Sequence, residues 1–233
     1  MRWFVLTATL VLAGCVSPMD LPDAPRPAAP SQAGAPVTGA VTPRSFAQVA
    51  DRVRPVAEQE CRRVRSGNCD FQIVVDDRPG QAPNAFQTLD NAGRPVIGFT
   101  VALLRDMQNN DELAFVMAHE AAHHIEGHIP RQQQNAAAGA VVFAGLASLT
   151  GADVNAIRSA QQLGATVGAR SYSKEFELEA DALGTVLAAR AGFNPVRGAE
   201  FFNRIPDPGD RFLGSHPPNA ARVATVQRVA SGL

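Results

Sequence analysis

The strongest helical rhythm in the sequence runs from residue 110 to 127. Leu113, Met117, Ala121 and Ile125 recur at four-residue spacing and form one stripe. Phe115, Val116 and Ala122 carry apolar character around the other sides, and a helix apolar nearly all round belongs in an interior. Asn110 or Asp111 is placed to cap its start, and Gly127 to end it. Upstream, Phe46, Val49, Val53, Val56 and Val64 keep near-helical spacing over residues 45–65, where Pro55 predicts a kink or a break. Phe71 to Val75 and Pro95 to Val101 predict two strands, with a hairpin-like turn at Asp90-Asn91-Ala92-Gly93 before the second. Residues 131–170 predict a helical hairpin turning at Thr150-Gly151; its small and apolar first arm is expected to be buried, the alternative being a lid that touches membrane or substrate. Two further helices are expected, Ser173 to Ala191 with Gly192 as its stop, and Asn219 to Ala230. Many helices beside a few short strands predict an α+β fold that is mostly helical, with a small β-sheet beside the 110–127 helix.

The first 44 residues do not share this rhythm. Arg2, an apolar stretch from Phe4 to Leu12, and Ala13-Gly14 have the layout of a secretory signal over residues 1–14, too short to span a bilayer. Leu12-Ala13-Gly14-Cys15 resembles the lipobox of bacterial lipoproteins, in which Cys15 becomes the lipidated first residue. Val16 after it, in place of Asp, favours the outer membrane by the same resemblance. Residues 16–44 carry seven prolines among Ala, Gly, Ser and Thr. Such a segment has too little apolar surface to fold and behaves as a semi-extended tether. The expected organisation is a signal at 1–14, a lipidated Cys15 with a Pro-rich linker at 15–44, and one folded domain at 45–233.

The formal net charge of -1 offers no cationic field for nucleic acid or an acidic membrane. Cys61 and Cys69 remain after Cys15, and export makes a disulfide between them the expectation. Closing so short a loop stabilises by about 2.5 kcal/mol on the chain-entropy account.

The chemistry lies on the apolar helix. His119-Glu120-Ala121-Ala122-His123 is an HExxH pattern. Four residues make just over one helical turn, so both imidazoles leave one face and can meet one metal, zinc above all. Glu120, one residue round, suits a general base acting on water. An unpaired pair of interior histidines would be costly, which argues against chance. A catalytic zinc site needs a third protein ligand and an open fourth position. A histidine ten residues after the first would serve, but position 129 is Ile. His124 and His128 are candidates by composition only, and capping or structural roles suit them better. Glu177, Asp181, Gly184 and Ala188 share a helical face, carboxylates at one end and small residues at the other. Small residues would let that helix come close and deliver a carboxylate, with Asp181 orienting a ligand histidine. Spacing alone leaves Glu177 and Glu179 both open.

Several motifs occur in fixed order. They are Asn84-Ala85-Phe86, the 119–128 segment HEAAHHIEGH, Tyr172-Ser173-Lys174, FELEAD at 176–181, AGFNP at 191–195, Phe201-Phe202 and SHPPNAARV at 215–223. Over about residues 45–230 the sequence resembles the HtpX/BepA-type zinc metallopeptidases. These are gluzincin-like proteins related to the CAAX prenyl protease; the small lipoprotein proteases YcaL and LoiP are similar in layout. The resemblance implies a zincin-like fold, one Zn2+ per chain, Glu177 as third ligand after His119 and His123, and Asp181 as its support. It also marks His216, which would either occupy the fourth position as a removable inhibitory ligand or stabilise the oxyanion with help from Arg222.

The expected function is therefore a zinc metalloendopeptidase of the bacterial cell envelope, lipid-anchored and facing the periplasm. Glu120 is its base, and misfolded or unassembled envelope proteins are the substrates that the resemblance implies. An extended substrate would add to the edge of the strand near Val96 to Val101. The alternative is a latent, chaperone-like client-binding protein with the zinc site closed by His216.

Overall fold

The computed structural model describes residues 41–211 and 213–233. The expected signal, the linker up to residue 40 and Cys15 lie outside them. Helix α1 (Pro43–Val64) opens the fold, its Thr42 cap exchanging hydrogen bonds with Ser45. It runs through Pro55 as one element, so of the expected kink or break the break is corrected. A proline inside a helix costs about 3 kcal/mol, and tertiary packing offsets it: Val49, Val53, Ala57 and Cys61 are buried on one stripe while Pro55 faces solvent. A disulfide joins Cys61, in the last turn of α1, to Cys69 in the segment after it.

Strands β1 (Gln72–Asp76), β2 (Ala85–Leu89) and β3 (Pro95–Thr100) form one sheet in the order β1-β3-β2. β3 pairs parallel with β1 and antiparallel with β2. The turn at 90–93 was expected, but β2 before it was not. That strand changes the sheet, because β3 becomes central and both its edges are occupied. A substrate cannot add to β3, and that expectation is corrected. Opposite Phe86, Gly98 leaves room for the ring; a Cβ there would collide with it.

A short helix α2 (Val101–Asp106) leads into α3 (Asn110–Ile125). The cap of α3 is Asn109, whose side chain accepts from the N–H groups of Asp111 and Glu112. The cap thus lies just before Asn110 and Asp111, the residues expected for it. Glu112, almost fully buried, accepts from Arg204, Asn109 and the Gln108 N–H. That network fixes where α3 starts. The helix is the centre of the core, packed by α1, by α6 (Ser173–Arg190) and by α7 (Pro195–Ala199). Gly127, at φ 70, ends it and turns the chain into α4 (His128–Leu149).

Helices α4 and α5 (Val154–Ser171) form the expected hairpin, yet its first arm is not buried. Its buried residue is His128, at the base, while Val141, Val142, Leu146 and Leu149 are exposed. The arms pack chiefly on each other because Gly139, Gly164 and Gly168 leave no room for side chains between them. Helix α8 (Asn219–Ala230) closes the fold against α6.

Candidate metal centre

Two helices make the centre. On α3, His119 and His123 stand one turn apart with their Nε2 atoms 3.0 Å from each other. On α6, Gly184 is packed against α3 so closely that a Cβ there would lie 3.0 Å from the backbone N and Cα of His119. This close approach carries Glu177, a little under two turns earlier on α6, up to both imidazoles. Its Oε2 is 3.6 Å from His119 Nε2 and its Oε1 3.4 Å from His123 Nε2. His119, His123 and Glu177 are the group among the described residues that could hold a metal ion, their ligand atoms all within 4.8 Å of one another.

The spacing suits zinc. Bonds of about 2.0–2.1 Å in a tetrahedron put neighbouring donors roughly 3.3 Å apart, against 3.0 to 3.6 Å here. Two imidazoles and one carboxylate are also the donor set of a catalytic zinc, which leaves a position for water or substrate.

A second layer of polar groups stands behind the three. Asp181, fully buried, takes a hydrogen bond from His119 Nδ1 at 3.0 Å and a two-pronged pair from Arg222, at 2.8 and 2.7 Å. Arg222 lies over the Phe202 ring, and its Nη2 is 3.4 Å from Glu177 Oε2. Arg222 thus sits beside the three residues with its guanidinium held by Asp181. Burial pushes His119 toward neutrality, but hydrogen bonds to Asp181 and Glu177 prevail and hold its pKa at about 9. Burial by itself would raise the pKa of Glu177; the two histidines and Arg222 instead keep it well below the usual carboxylate range. Two carboxylates around two imidazoles form a site built for positive charge.

On the other histidine of the pair, His123 Nδ1 lies 2.7 Å from Nδ1 of His128. His128 is buried, stacked flat on Phe176, and its Nε2 is 3.0 Å from Glu179 Oε2. Arg131 holds that carboxylate in turn. So Glu177 and Glu179 part company: the first faces the histidine pair, the second supports His128. Burial is the main cause that brings the His128 pKa down to about 4. Sequence reasoning gave His128 a structural role without finding its partner. The signal was Gly127, whose left-handed turn brings the next residue back against α3. His124 stays apart, its Nε2 2.9 Å from the Asn68 carbonyl.

Glu120, His123 and Glu177 line an open cleft of about 230 Å³, with Gln87 of β2 on one wall and Ser215 and His216 on another. His216 is half exposed and stands outside the three-residue group, its Nε2 3.8 Å from Glu177 Oε2 and its Nδ1 2.9 Å from Ser215 Oγ.

A family profile described as Peptidase family M48 matches residues 43–230. The chain belongs to peptidase family M48. Both the two-helix donor group and the mostly helical fold with a small sheet accord with that family of metallopeptidases. The chain is 30% identical over 152 residues to the beta-barrel assembly-enhancing protease of Escherichia coli O157:H7, covering 56% of this chain and 29% of the relative. It is 33% identical over 120 residues to the putative beta-barrel assembly-enhancing protease of Vibrio cholerae, covering 48% and 24%. It is also 27% identical over 168 residues to the mitochondrial metalloendopeptidase OMA1 of Saccharomyces cerevisiae, covering 68% and 46%. The chain thus spans under half the length of each of these relatives.

Proposed function

We propose that this protein is a zinc endopeptidase of the bacterial cell envelope that cuts extended segments of misfolded or unassembled envelope proteins. The observation that carries the reading is the convergence of His119, His123 and Glu177, with Glu120 lining the cleft beside them. His119, His123 and Glu177 hold the zinc, which when bound supplies Lewis-acid activation of a water and of the scissile carbonyl. Asp181 and Arg222 fix His119, and the fully buried carboxylate keeps its ring in one tautomer. Glu120 takes a proton from the attacking water as the new C–O bond forms. It returns that proton to the departing amine as the C–N bond breaks.

The substrate adds to β2 rather than to β3. β2 pairs with β3 on one side, and Gln87 at its middle lines the cleft. Main-chain pairing at such an edge reads an extended peptide with little regard to sequence, which suits clients defined by being unfolded. The envelope location rests on the lipobox-like ending at Cys15 and on the names of the bacterial relatives. Among the described residues, no helix is long and apolar enough to cross a membrane.

The test is cleavage of unfolded casein by the purified chain. Activity abolished by a zinc chelator and restored by zinc supports the reading; chelator-resistant cleavage, or none at any zinc level, contradicts it. The proximity of His216 to Glu177 favours a second reading, a latent enzyme that holds clients with its fourth position closed. His216→Ala separates the two. Faster casein cleavage indicates a latch, and slower cleavage indicates a group that assists the reaction.

A further inference from the structure

The α4–α5 hairpin leaves the body beside the cleft, with Ile129 and Gln132 in the cleft wall, and it ends in an apolar tip. Gly139 faces Gly164 and Gly168 faces Asn135, so the arms run antiparallel and turn between Leu149 and Val154. From 132 to 152 the sequence has no Asp, Glu, Lys or Arg. Val142, Leu146 and Leu149 recur on one exposed face with Val141 beside them. Leu149 is 86% exposed and Val154, across the turn, 71%. Leaving this much contiguous apolar surface in water is unusual for a soluble protein and marks a contact surface.

We infer that the hairpin tip is a membrane-docking surface, whose apolar side chains enter the headgroup–acyl boundary of a bilayer. The inference rests on the proposed anchoring at Cys15, because that anchor is what brings a bilayer within reach. Residues 15–40 precede the described fold and join it at the start of α1. At about 3.1 Å per residue in extended form they reach roughly 80 Å, ample for the tip to touch the surface that holds the anchor. Depth is limited: no described helix can cross a membrane, so the tip lies in the interface rather than spanning it. The uncharged stretch fits that depth, since it brings no ionised side chain into the apolar layer. The tip carries one charge, Asp153, which is exposed in the turn itself and whose carboxylate accepts from the N–H groups of Asn155 and Ala156 at the start of α5.

Docking has a consequence for the cleft. Gln132 and Leu149 are seventeen residues apart on one helix, about 25 Å at 1.5 Å per residue. A docked tip therefore holds the cleft roughly that far from the bilayer and fixes its orientation, which a single attachment at Cys15 does not do. The same distance puts the tip out of contact with a peptide in the cleft. A lipid surface suits it better than the substrate does.

The test uses the mature chain with Cys15→Ser, so that no acyl chain contributes to binding, and vesicles of phosphatidylethanolamine and phosphatidylglycerol. Leu149→Cys in that background carries an environment-sensitive fluorophore, Cys61 and Cys69 being joined to each other. Emission from the labelled tip is expected to shift to the blue and rise several-fold with vesicles. Cosedimentation of the unlabelled protein should fall at least tenfold when Val141, Val142, Leu146 and Leu149 are all changed to Ser, with the melting temperature of that variant showing that it folds. A silent label with vesicles overturns the inference. So does a response to protein concentration alone, which would indicate a second copy, or a response to unfolded casein alone, which would indicate a client surface. The anchor is read separately, by palmitate incorporation into the wild type and not into Cys15→Ser. Loss of that result overturns the anchor while the vesicle result still decides docking.

Discussion

The Nδ1 atoms of His123 and His128 lie 2.7 Å apart, so one ring donates a hydrogen bond to the other. His123 directs its Nε2 toward His119 and Glu177, and a metal there needs that nitrogen's lone pair. Its Nδ1 then carries the hydrogen, His128 Nδ1 accepts it, and His128 Nε2–H donates to Glu179. His119 is thus held by a carboxylate, Asp181, and His123 by a neutral imidazole. His128→Phe keeps the stacking on Phe176 but removes the acceptor. Zinc affinity, measured by competition with a chelator, is expected to fall about 10- to 100-fold. Unchanged affinity would show that His128 only fills space.

Gly184 sets the distance between α6 and α3. A Cβ at this position would lie 3.0 Å from His119 N and Cα, and those backbone atoms cannot turn away as a side-chain end could. Gly184→Val is expected to cost about 1–3 kcal/mol of stability through overpacking and to lower zinc affinity by moving Glu177 off the histidines. Denaturant unfolding and metal titration of the same variant read the two effects. A stable variant with full affinity would mean that α6 is not held by this contact.

Glu60 ties α1 to α6 through Arg190, 3.1 Å away, and also meets Arg63. The hydrogen bond from Arg63 is the main cause that holds its carboxyl below the usual carboxylate range; burial opposes and Arg190 adds. A depressed carboxylate pKa stabilises the fold above the unfolded value and loses that contribution as pH falls through the folded one. Glu60→Gln should therefore cost about 1 kcal/mol at pH 7, and the difference from wild type should shrink below pH 4.5. Urea unfolding at pH 7 and pH 3.5 checks this. An equal difference at both values would contradict it.

The metal helix was legible because one residue in every four had to be apolar to pack, which leaves an HExxH on a buried helix with little else to be. The small residues at 184 and 188 pointed to close helix contact, and Gly184 makes it. Other features depend on partners that a local pattern does not name. Spacing left Glu177 and Glu179 equivalent, because both leave the first turns of α6; which one meets the histidines is decided by how α6 lies on α3. The short strand Ala85–Leu89 shows too brief an alternation to stand out, and missing it made β3 look like an edge. The small, apolar residues of α4 suggested burial, yet composition cannot tell a helix buried in the body from one packed on a single partner through glycines.

Casein cleavage by Glu120→Gln at matched zinc content asks whether Glu120 performs the chemistry at a zinc held by other residues. One zinc per chain is expected in both proteins, with cleavage reduced by at least a thousandfold in the variant. Wild-type cleavage by the zinc-loaded variant would contradict that role.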